Sequence, residues 1–504
     1  MDQMIIRIIG ISLISLLLLS AVLYFFHYIP DDTFITLRYA RNAVRGYGLV
    51  FNRGDKLEGY SNFLWLMILI TAGKIGLPLI SSSRALSFLL TLGAIALTGV
   101  ASNSTSLPSM NGFKKTLLVA FPPIALSATA PIGTWSLSGT EIPFFTAILL
   151  GAYISYVRER RLAALSLAAL LGLVRPEGLV FFALFWLFAV AESNDRLKEV
   201  LSGAAILLAF YLPYALWKKS YFGSLLPNTF YAKRGPAGIM IGNGIKYTLE
   251  YLIGYGYLFI IGAAIIGRRL KEHKPLRLAF YIVIVHWATI ISVGGDWMPH
   301  FRLLLPTLPF VLITASYALT QGIPDEAPRG KVKHVLAALL LTVLAAAPGT
   351  MNYDFFRTER VTVEAFANLG QSLREILPPN TVIACGSTGA IGYFTDLPIL
   401  DILGLTDQHI AREGKVVSHQ PGHMKTDGMY ILNRKPSLLL LGNIQIHKGR
   451  MPESKLRIKI QEKEITDIPE FKKMYSYTEI PIGYGFYLSC YKRRDFFLPT
   501  DSPK

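Results

Sequence analysis

Apolar runs of membrane-crossing length recur along the first two thirds of the chain, and short segments between them gather most of its charges. A bilayer core needs about 20 apolar residues per helix. On that scale the pattern predicts eleven spans, at approximately 4–29, 79–102, 114–130, 140–157, 161–174, 176–191, 197–217, 245–266, 277–294, 302–320 and 333–349. The opening run is longer than the core of a cleavable signal and lacks a small-residue cleavage motif, so it reads as a retained helix. From Leu162 to Val190 the apolar stretch is too long for one relaxed helix, and Pro176 interrupts it beside Arg175 and Glu177. A charge at the bilayer centre costs roughly 2.5–3.5 kcal/mol. Two short helices meeting at an aqueous turn are therefore expected. The alternative, one kinked helix with a buried Arg–Glu pair, would reverse all later topology.

Beyond residue 350 the pattern changes. Apolar runs shrink to strand length, as in TVIACG (381–386) and PSLLLLGN (436–443), while VEAFANLGQSLREIL (363–377) has a helical period ahead of a strand. The expected architecture is an α-helical polytopic membrane domain over residues 1–349 and a soluble α/β domain over 350–504. No internal repeat or low-complexity tract interrupts either part.

Composition agrees, since 52% hydrophobic and 16% charged residues make a chain too apolar for an ordinary soluble protein. The net charge of +17 invites a nucleic-acid reading, but the placement of the charges argues against it. Positive clusters sit between spans: Lys114 and Lys115; Arg158, Arg160 and Arg161; Arg268, Arg269, Lys271 and Lys274; Arg329, Lys331 and Lys333. That is the positive-inside pattern, so lipid bilayer rather than nucleic acid is the expected partner. With a cytoplasmic N-terminus every cluster falls on the cytoplasmic side. Residues 30–78, 174–176, 218–244, 295–301 and all after 350 then face outward from an inner membrane. Two cysteines exclude a disulfide framework or a cysteine metal motif, although Cys385 and Cys490 could pair or remain buried thiols.

The first outward loop carries the densest chemistry. Asp31 and Asp32 follow the first span directly, and TFITLRYARNAV (33–44) forms an amphipathic helix with Arg38, Arg41 and Arg45 near one face. A second surface helix begins after Glu58 and Tyr60, with Ser61 or Asn62 as its N-cap. Such a pair suits the membrane interface. Paired carboxylates beside arginines suit group transfer from an anionic leaving group: one acid takes a proton from an acceptor hydroxyl while cations hold phosphate. Helix capping competes as an explanation for one of the two acids. Further outward segments add Arg175 and Glu177; Asn228, Tyr231 and Lys233; and Asp296, His300 and Arg302. No metal motif is evident, and a carboxylate-bound divalent ion stays open; no cofactor is firmly implied.

These segments carry a resemblance. DDTFITLRYARN, GLVFNRGDKLEGYSNFLW, VRPEG, GSLLPNTFYAK, GGDWMPHFRLLLPTLP and GAIGYFTDLPILDILGLTDQHIAR together resemble the terminal arabinofuranosyltransferases of mycobacterial cell-wall assembly and their bacterial relatives, over residues 30 to about 412. Those belong to the GT-C class of membrane glycosyltransferases. The resemblance implies a GT-C fold, a polyprenyl-phosphoryl sugar donor (decaprenyl-phosphoryl arabinofuranose in the nearest relatives), a glycan or other surface acceptor, and inverting transfer. It also implies an aspartate base after the first helix. Asp31 is favoured for that role, with Asp32 orienting the acceptor or capping. Arg175, Lys233 and Arg302 become candidates for the donor phosphate, and Asn228 and Tyr231 for the donor sugar or lipid. Arg38, Arg41, Glu58, Tyr60, Glu177, Asp296 and His300 complete the candidate binding set. A transporter or flippase, and a non-catalytic glycan-binding scaffold, are the competing readings.

Overall fold

The computed structural model describes residues 11, 14–23, 28–110, 112–267, 269–321, 328–347 and 352–498. Much of the 4–29 span, together with Arg268, lies outside the described residues.

Every span expected from residue 79 onward falls on a helix or a helix pair. Many of these helices are short. Leu79–Asn103, Arg196–Phe222, Ala237–Ile266 and Lys274–Val293 are long and apolar enough to cross a membrane. Gly112–Ser127 and Ala130–Ser136, bent by 60°, make a fifth if counted together. Ile142–Val157, Arg161–Val174 and Gly178–Glu192 are shorter apolar helices. Charge and proline end them: the Arg158–Arg160 turn separates the first two, and Arg175-Pro176-Glu177 separates the second from the third. Helices 161–174 and 178–192 pack against each other, so the long apolar stretch is two helices.

Two apolar cores organise the molecule. The larger lies within the helical bundle and includes Trp135, Phe145, Tyr153, Phe181 and Phe310. The Arg196–Phe222 helix lies at its edge, packing Ile206, Leu207, Phe210 and Tyr211 against it. Leu197, Leu201, Leu208, Leu212 and Leu216 are all exposed there, as a helix meeting lipid around most of its circumference requires.

The second core joins the first loop to the C-terminal domain. Phe34, Leu37 and Tyr39 of the Asp31–Val44 helix, and Trp65, Leu66 and Leu69 of the Phe63–Lys74 helix, pack with Phe366, Leu373, Ile391 and Leu438. The amphipathic face visible in the sequence is therefore buried against protein. Burying a large apolar side chain contributes about 1.5–3 kcal/mol, so this shared core fixes the loop to the domain.

The C-terminal domain begins with the Tyr353–Ile376 helix and contains a six-stranded sheet. Strand Ile383–Cys385 lies between Ile399–Asp401 and Leu438–Leu440, parallel to both. Phe486–Arg493 then pairs antiparallel with Leu438–Leu440, Gln445–Lys448 and Tyr475–Gly483. The expected helix at 363–377 and strands at 381–386 and 436–443 are thus all present, in a mixed sheet whose far edge is a hairpin. Cys385 and Cys490 are both buried and free, which corrects the pairing alternative.

Candidate functional site

The Asp31–Val44 helix starts directly on the two acids, with Pro30 at its N-cap, and neither carboxylate caps the helix. Consecutive residues on a helix diverge by about 100°, so the two side chains take different roads. Asp31 turns toward the C-terminal domain. Its oxygens accept from Gly389 N at 2.9 Å and Ala390 N at 2.7 Å, at the start of the Gly389–Thr395 helix. Gly389 is required there, since a Cβ would stand 1.9 Å from the Asp31 carbonyl oxygen. Burial pushes the Asp31 carboxyl up to about 6, against the two backbone donors that pull it down.

Asp32 turns the other way. Its Oδ2 lies 3.1 Å from Nη1 of Arg302, and 39% of its side chain remains accessible although protein surrounds it. Burial would raise this carboxyl, but the Arg302 and Lys233 charges outweigh it and hold it below its ordinary value. Arg302 is itself gripped by Asp296, through Nε at 2.5 Å and Nη2 at 3.3 Å. The loop that presents it places His300 and Phe301 at positive φ. Backbone of that kind costs about 1–3 kcal/mol per residue, and here Trp135 Nε1 donating to His300 O at 2.8 Å and Thr134 Oγ1 at 2.7 Å from His300 Nδ1 hold it in place.

Around this centre stand further charges. Arg175 pairs with both Glu141 and Glu177, and its charge reaches Arg302 and Lys233. Glu141 also accepts from Asn62 Nδ2 at 3.0 Å, which links the second loop helix to the cluster. The Lys233 side chain makes no hydrogen bond or ion pair among the described residues and sits in the field of Asp32, Arg302 and Asp296. Arg175, Glu177, Lys233, Asp296, Arg302 and Asp32 are thus brought together from four separate stretches of chain. An unpartnered lysine and a solvent-open carboxylate, framed by two engaged arginines, can bind an anion and accept a proton side by side.

The other sequence candidates sit elsewhere. Arg38 donates to the carbonyls of Phe51 (2.7 Å), Gly392 (2.5 Å) and Leu397 (2.7 Å), bracing the loop on the C-terminal domain. Arg41 bonds the Tyr393 carbonyl and, with Arg45 and Arg53, converges on Asp396 at 2.8–2.9 Å. Glu58 is buried against Lys218 at 2.8 Å, and burial pushes its carboxyl up to about 7 despite that partner. Tyr60 packs edge-on against Tyr39. Asn228 donates to the carbonyls of Gly404, Leu405 and Asp407, and Tyr231 lies beneath Arg412. His300 packs on Phe356 with ring centroids 4.3 Å apart. For Arg38, Arg41, Glu58 and Asn228 these partners are the structural use of polar groups that the sequence marks only as polar.

Sequence reasoning missed Glu141, whose one signal is an acid at the outer end of an apolar run. It also missed Glu359 and His423 of the C-terminal domain. Both lie in the field of Asp32, in a region without a motif. Among the described residues no group of three or more His, Cys, Asp or Glu side chains is arranged to hold a metal ion.

Comparisons with known proteins place this geometry in context. A family described as a domain of unknown function (DUF8728) matches residues 353–491, the C-terminal domain. The chain is similar to the terminal beta-(1->2)-arabinofuranosyltransferase of Mycobacterium tuberculosis, with 26% identity over 344 residues, covering 59% of this chain and 53% of that protein. The enzyme of the same name from Corynebacterium glutamicum is 25% identical over 331 residues, covering 56% and 47%. The chain spans about half the length of the curated relatives it matches. Among solved structures, ArnT from Cupriavidus metallidurans bound to undecaprenyl phosphate superposes with a TM-score of 0.58 at 13% identity, over 96% of this chain and 97% of that one. The apo oligosaccharyltransferase of Archaeoglobus fulgidus gives 0.50 at 10% identity, over 99% and 75%. At such identities the likeness is one of fold. The chain has the GT-C fold: a multi-pass helical membrane part and a C-terminal α/β domain.

Proposed function

We propose that this chain is a glycosyltransferase that moves a sugar from a polyprenyl-phosphate donor to a glycan acceptor, on the outer face of the inner membrane. Arabinofuranose is the favoured sugar, because the curated relatives are named for its transfer. A polyprenyl-phosphate carrier is favoured because the structural neighbour was solved with undecaprenyl phosphate. The single observation that carries the reading is the pairing of open Asp32 with Arg302 beside the unpartnered Lys233.

In this reading the roles of the two acids are exchanged relative to the expectation from sequence. Asp31 has both oxygens on backbone donors and positions the domain, while Asp32 is the base. The acceptor hydroxyl gives its proton to Asp32 as its oxygen bonds to the anomeric carbon. The bond from that carbon to phosphate oxygen breaks, and the electron pair leaves on the polyprenyl phosphate. Lys233 and Arg302 stabilise the charge that gathers there, with Arg175 behind them. In-line displacement inverts the anomeric carbon, so the anomer of the product, compared with that of the donor, reports on the step.

The test is transfer in liposomes from polyprenyl-phosphoryl arabinofuranose to a synthetic glycan, for wild type, Asp32→Asn and Asp31→Asn. Wild type is expected to transfer, and Asp32→Asn to bind donor with turnover lowered at least about 10²-fold. Wild type that fails with several lipid-linked sugars, or Asp32→Asn as active as wild type, would sink the assignment.

A further inference from the structure

Asn62 and Glu141 stand at the N-caps of the Phe63–Lys74 and Ile142–Val157 helices, yet neither side chain bonds to its own helix. For Asn62 this forgoes a cap that contributes about 1 kcal/mol. Both side chains are buried, and they are bonded to each other instead: Asn62 Nδ2 donates to Glu141 Oε2 at 3.0 Å. A carboxylate only accepts, so the amide nitrogen has to face it. The second hydrogen of that nitrogen goes to buried Thr36 Oγ1, at 3.1 Å. Thr36 lies four residues after Asp32 on the Asp31–Val44 helix, on the same face. The other oxygen of Glu141 accepts from Arg175 Nη1. A relay of Thr36, Asn62, Glu141 and Arg175 therefore joins the helix of the open acid to a guanidinium at the outer break between two apolar helices.

The two arginines of the site differ in what they have left to give. In Arg302 all three nitrogens are engaged, Nε and Nη2 by Asp296 and Nη1 by Asp32. In Arg175, Nε bonds Glu177 and Nη1 bonds Glu141, while Nη2 bonds nothing among the described residues and 16% of the side chain is accessible. A guanidinium is a rigid plane, so two held nitrogens set the direction of the third. We propose that Glu141 is a positioning residue: tied to the helix of Asp32 through Asn62 and Thr36, it aims Nη2 of Arg175 at the phosphate of the lipid-linked donor. This deepens the transferase reading and rests on it.

Glu177 cannot do this alone. It lies two residues from Arg175 in the same turn, so that pair moves with its own loop, whereas Glu141 comes from another helix and fixes the guanidinium to the bundle. Position and charge can be separated. Glutamine at 141 still accepts from Nη1 through its amide oxygen. Its amide nitrogen then donates to Asn62, whose amide turns over to present oxygen, and the Thr36 hydroxyl changes from acceptor to donor. Alanine breaks the relay. Both changes remove a negative charge from beside an incoming phosphate, so an effect of charge alone would tighten donor binding in both.

The experiment measures equilibrium binding of undecaprenyl phosphate to the full chain in detergent, and transfer in liposomes, for wild type, Glu141→Ala, Glu141→Gln and Asn62→Leu. Glu141→Ala is expected to raise the Kd and to lower donor kcat/KM about tenfold, the worth of one charge-assisted bond. Acceptor KM should hold at its wild-type value, and Glu141→Gln should recover most of the loss. Asn62→Leu, which keeps the carboxylate but removes its donor, should shift donor binding in the same direction; it also serves if Glu141→Ala does not fold. The double variant should bind no worse than Glu141→Ala, since the two act through one relay. Tighter binding by both Glu141 variants, a raised acceptor KM with donor binding unchanged, or a loss confined to unfolding temperature would overturn the positioning role. If wild type binds the lipid and Glu141→Ala binds it weakly, yet no sugar is transferred, the transferase reading fails and the positioning role stands. If every variant binds and transfers as wild type does, the positioning role fails alone.

Discussion

Replacing Asp31 by asparagine should remove a pH dependence of stability that the docked carboxylate creates. In the folded chain this carboxyl titrates at about 6, against 3.8 for the hydrated group. At about 1.4 kcal/mol per pH unit, the ionised form of Asp31 opposes folding by about 3 kcal/mol. The sign follows from proton counting. Below pH 3.8 both states hold the proton and no penalty exists. Between 3.8 and 6 the unfolded chain ionises first and the folded chain keeps its proton, so stability falls as pH rises. Above 6 the penalty is complete. Asparagine cannot ionise and, like the protonated acid, offers one carbonyl acceptor to Gly389 N or Ala390 N, so the variant stands in for the neutral form of Asp31 at every pH. The two chains should therefore be closest in stability at pH 4 and separate as the pH rises to 7, where the variant should be the more stable by up to about 3 kcal/mol. The assay is thermal unfolding in detergent at pH 4, 5, 6 and 7, read as the difference between wild type and variant, so that the other titrating carboxylates drop out. A difference that stays constant across that range would refute the claim that Asp31 is a buried docking group rather than a solvated acid.

Three more outcomes follow from the same geometry. Gly389→Ala places a Cβ 1.9 Å from the Asp31 carbonyl oxygen and should lower both the unfolding temperature and transfer, whereas Gly238→Ala, with no heavy atom within 4 Å, should leave both unchanged. Arg302→Lys keeps the charge but cannot bridge two Asp296 oxygens while reaching Asp32; turnover in the liposome assay should drop about 10²-fold, with unfolding temperature altered far less. Cys385 and Cys490 are buried and free, so neither should react with a maleimide before the chain unfolds, and an unfolding temperature that shifts with reductant would contradict this.

The parts of the fold that the sequence discloses are those written in local periodicity. The Asp31–Val44 and Phe63–Lys74 helices, the break at Pro176 and the change to an α/β pattern after residue 350 all depend on spacing within a few residues, and all are present. Span length was less legible. A run such as 142–157 reads as apolar enough to cross a bilayer, but its helix ends where Arg158 begins a turn, and its sides are buried in the bundle. Hydropathy reports burial from water; it does not distinguish lipid from protein as the thing that buries.

The same ambiguity decided the reading of the arginine face, and here the missing information is tertiary. Arg38 and Arg41 stand at phosphate-binding spacing on an amphipathic helix, next to two acids, and nothing local separates a phosphate clamp from a docking surface. What separates them is the identity of their acceptors: the carbonyls of Gly392, Tyr393 and Leu397 and the carboxylate of Asp396, all some 350 positions away in sequence. Asp31 is governed by the same logic, since its two donors come from 389 and 390. Once these groups are bound to the C-terminal domain, the adjacent Asp32 is the acid left open, and the cations near it are those from the distant loops, Lys233 and Arg302. The docking helix and the open carboxylate are thus one device. While the first residue of the helix is held by the domain, the second faces Arg302 of the bundle.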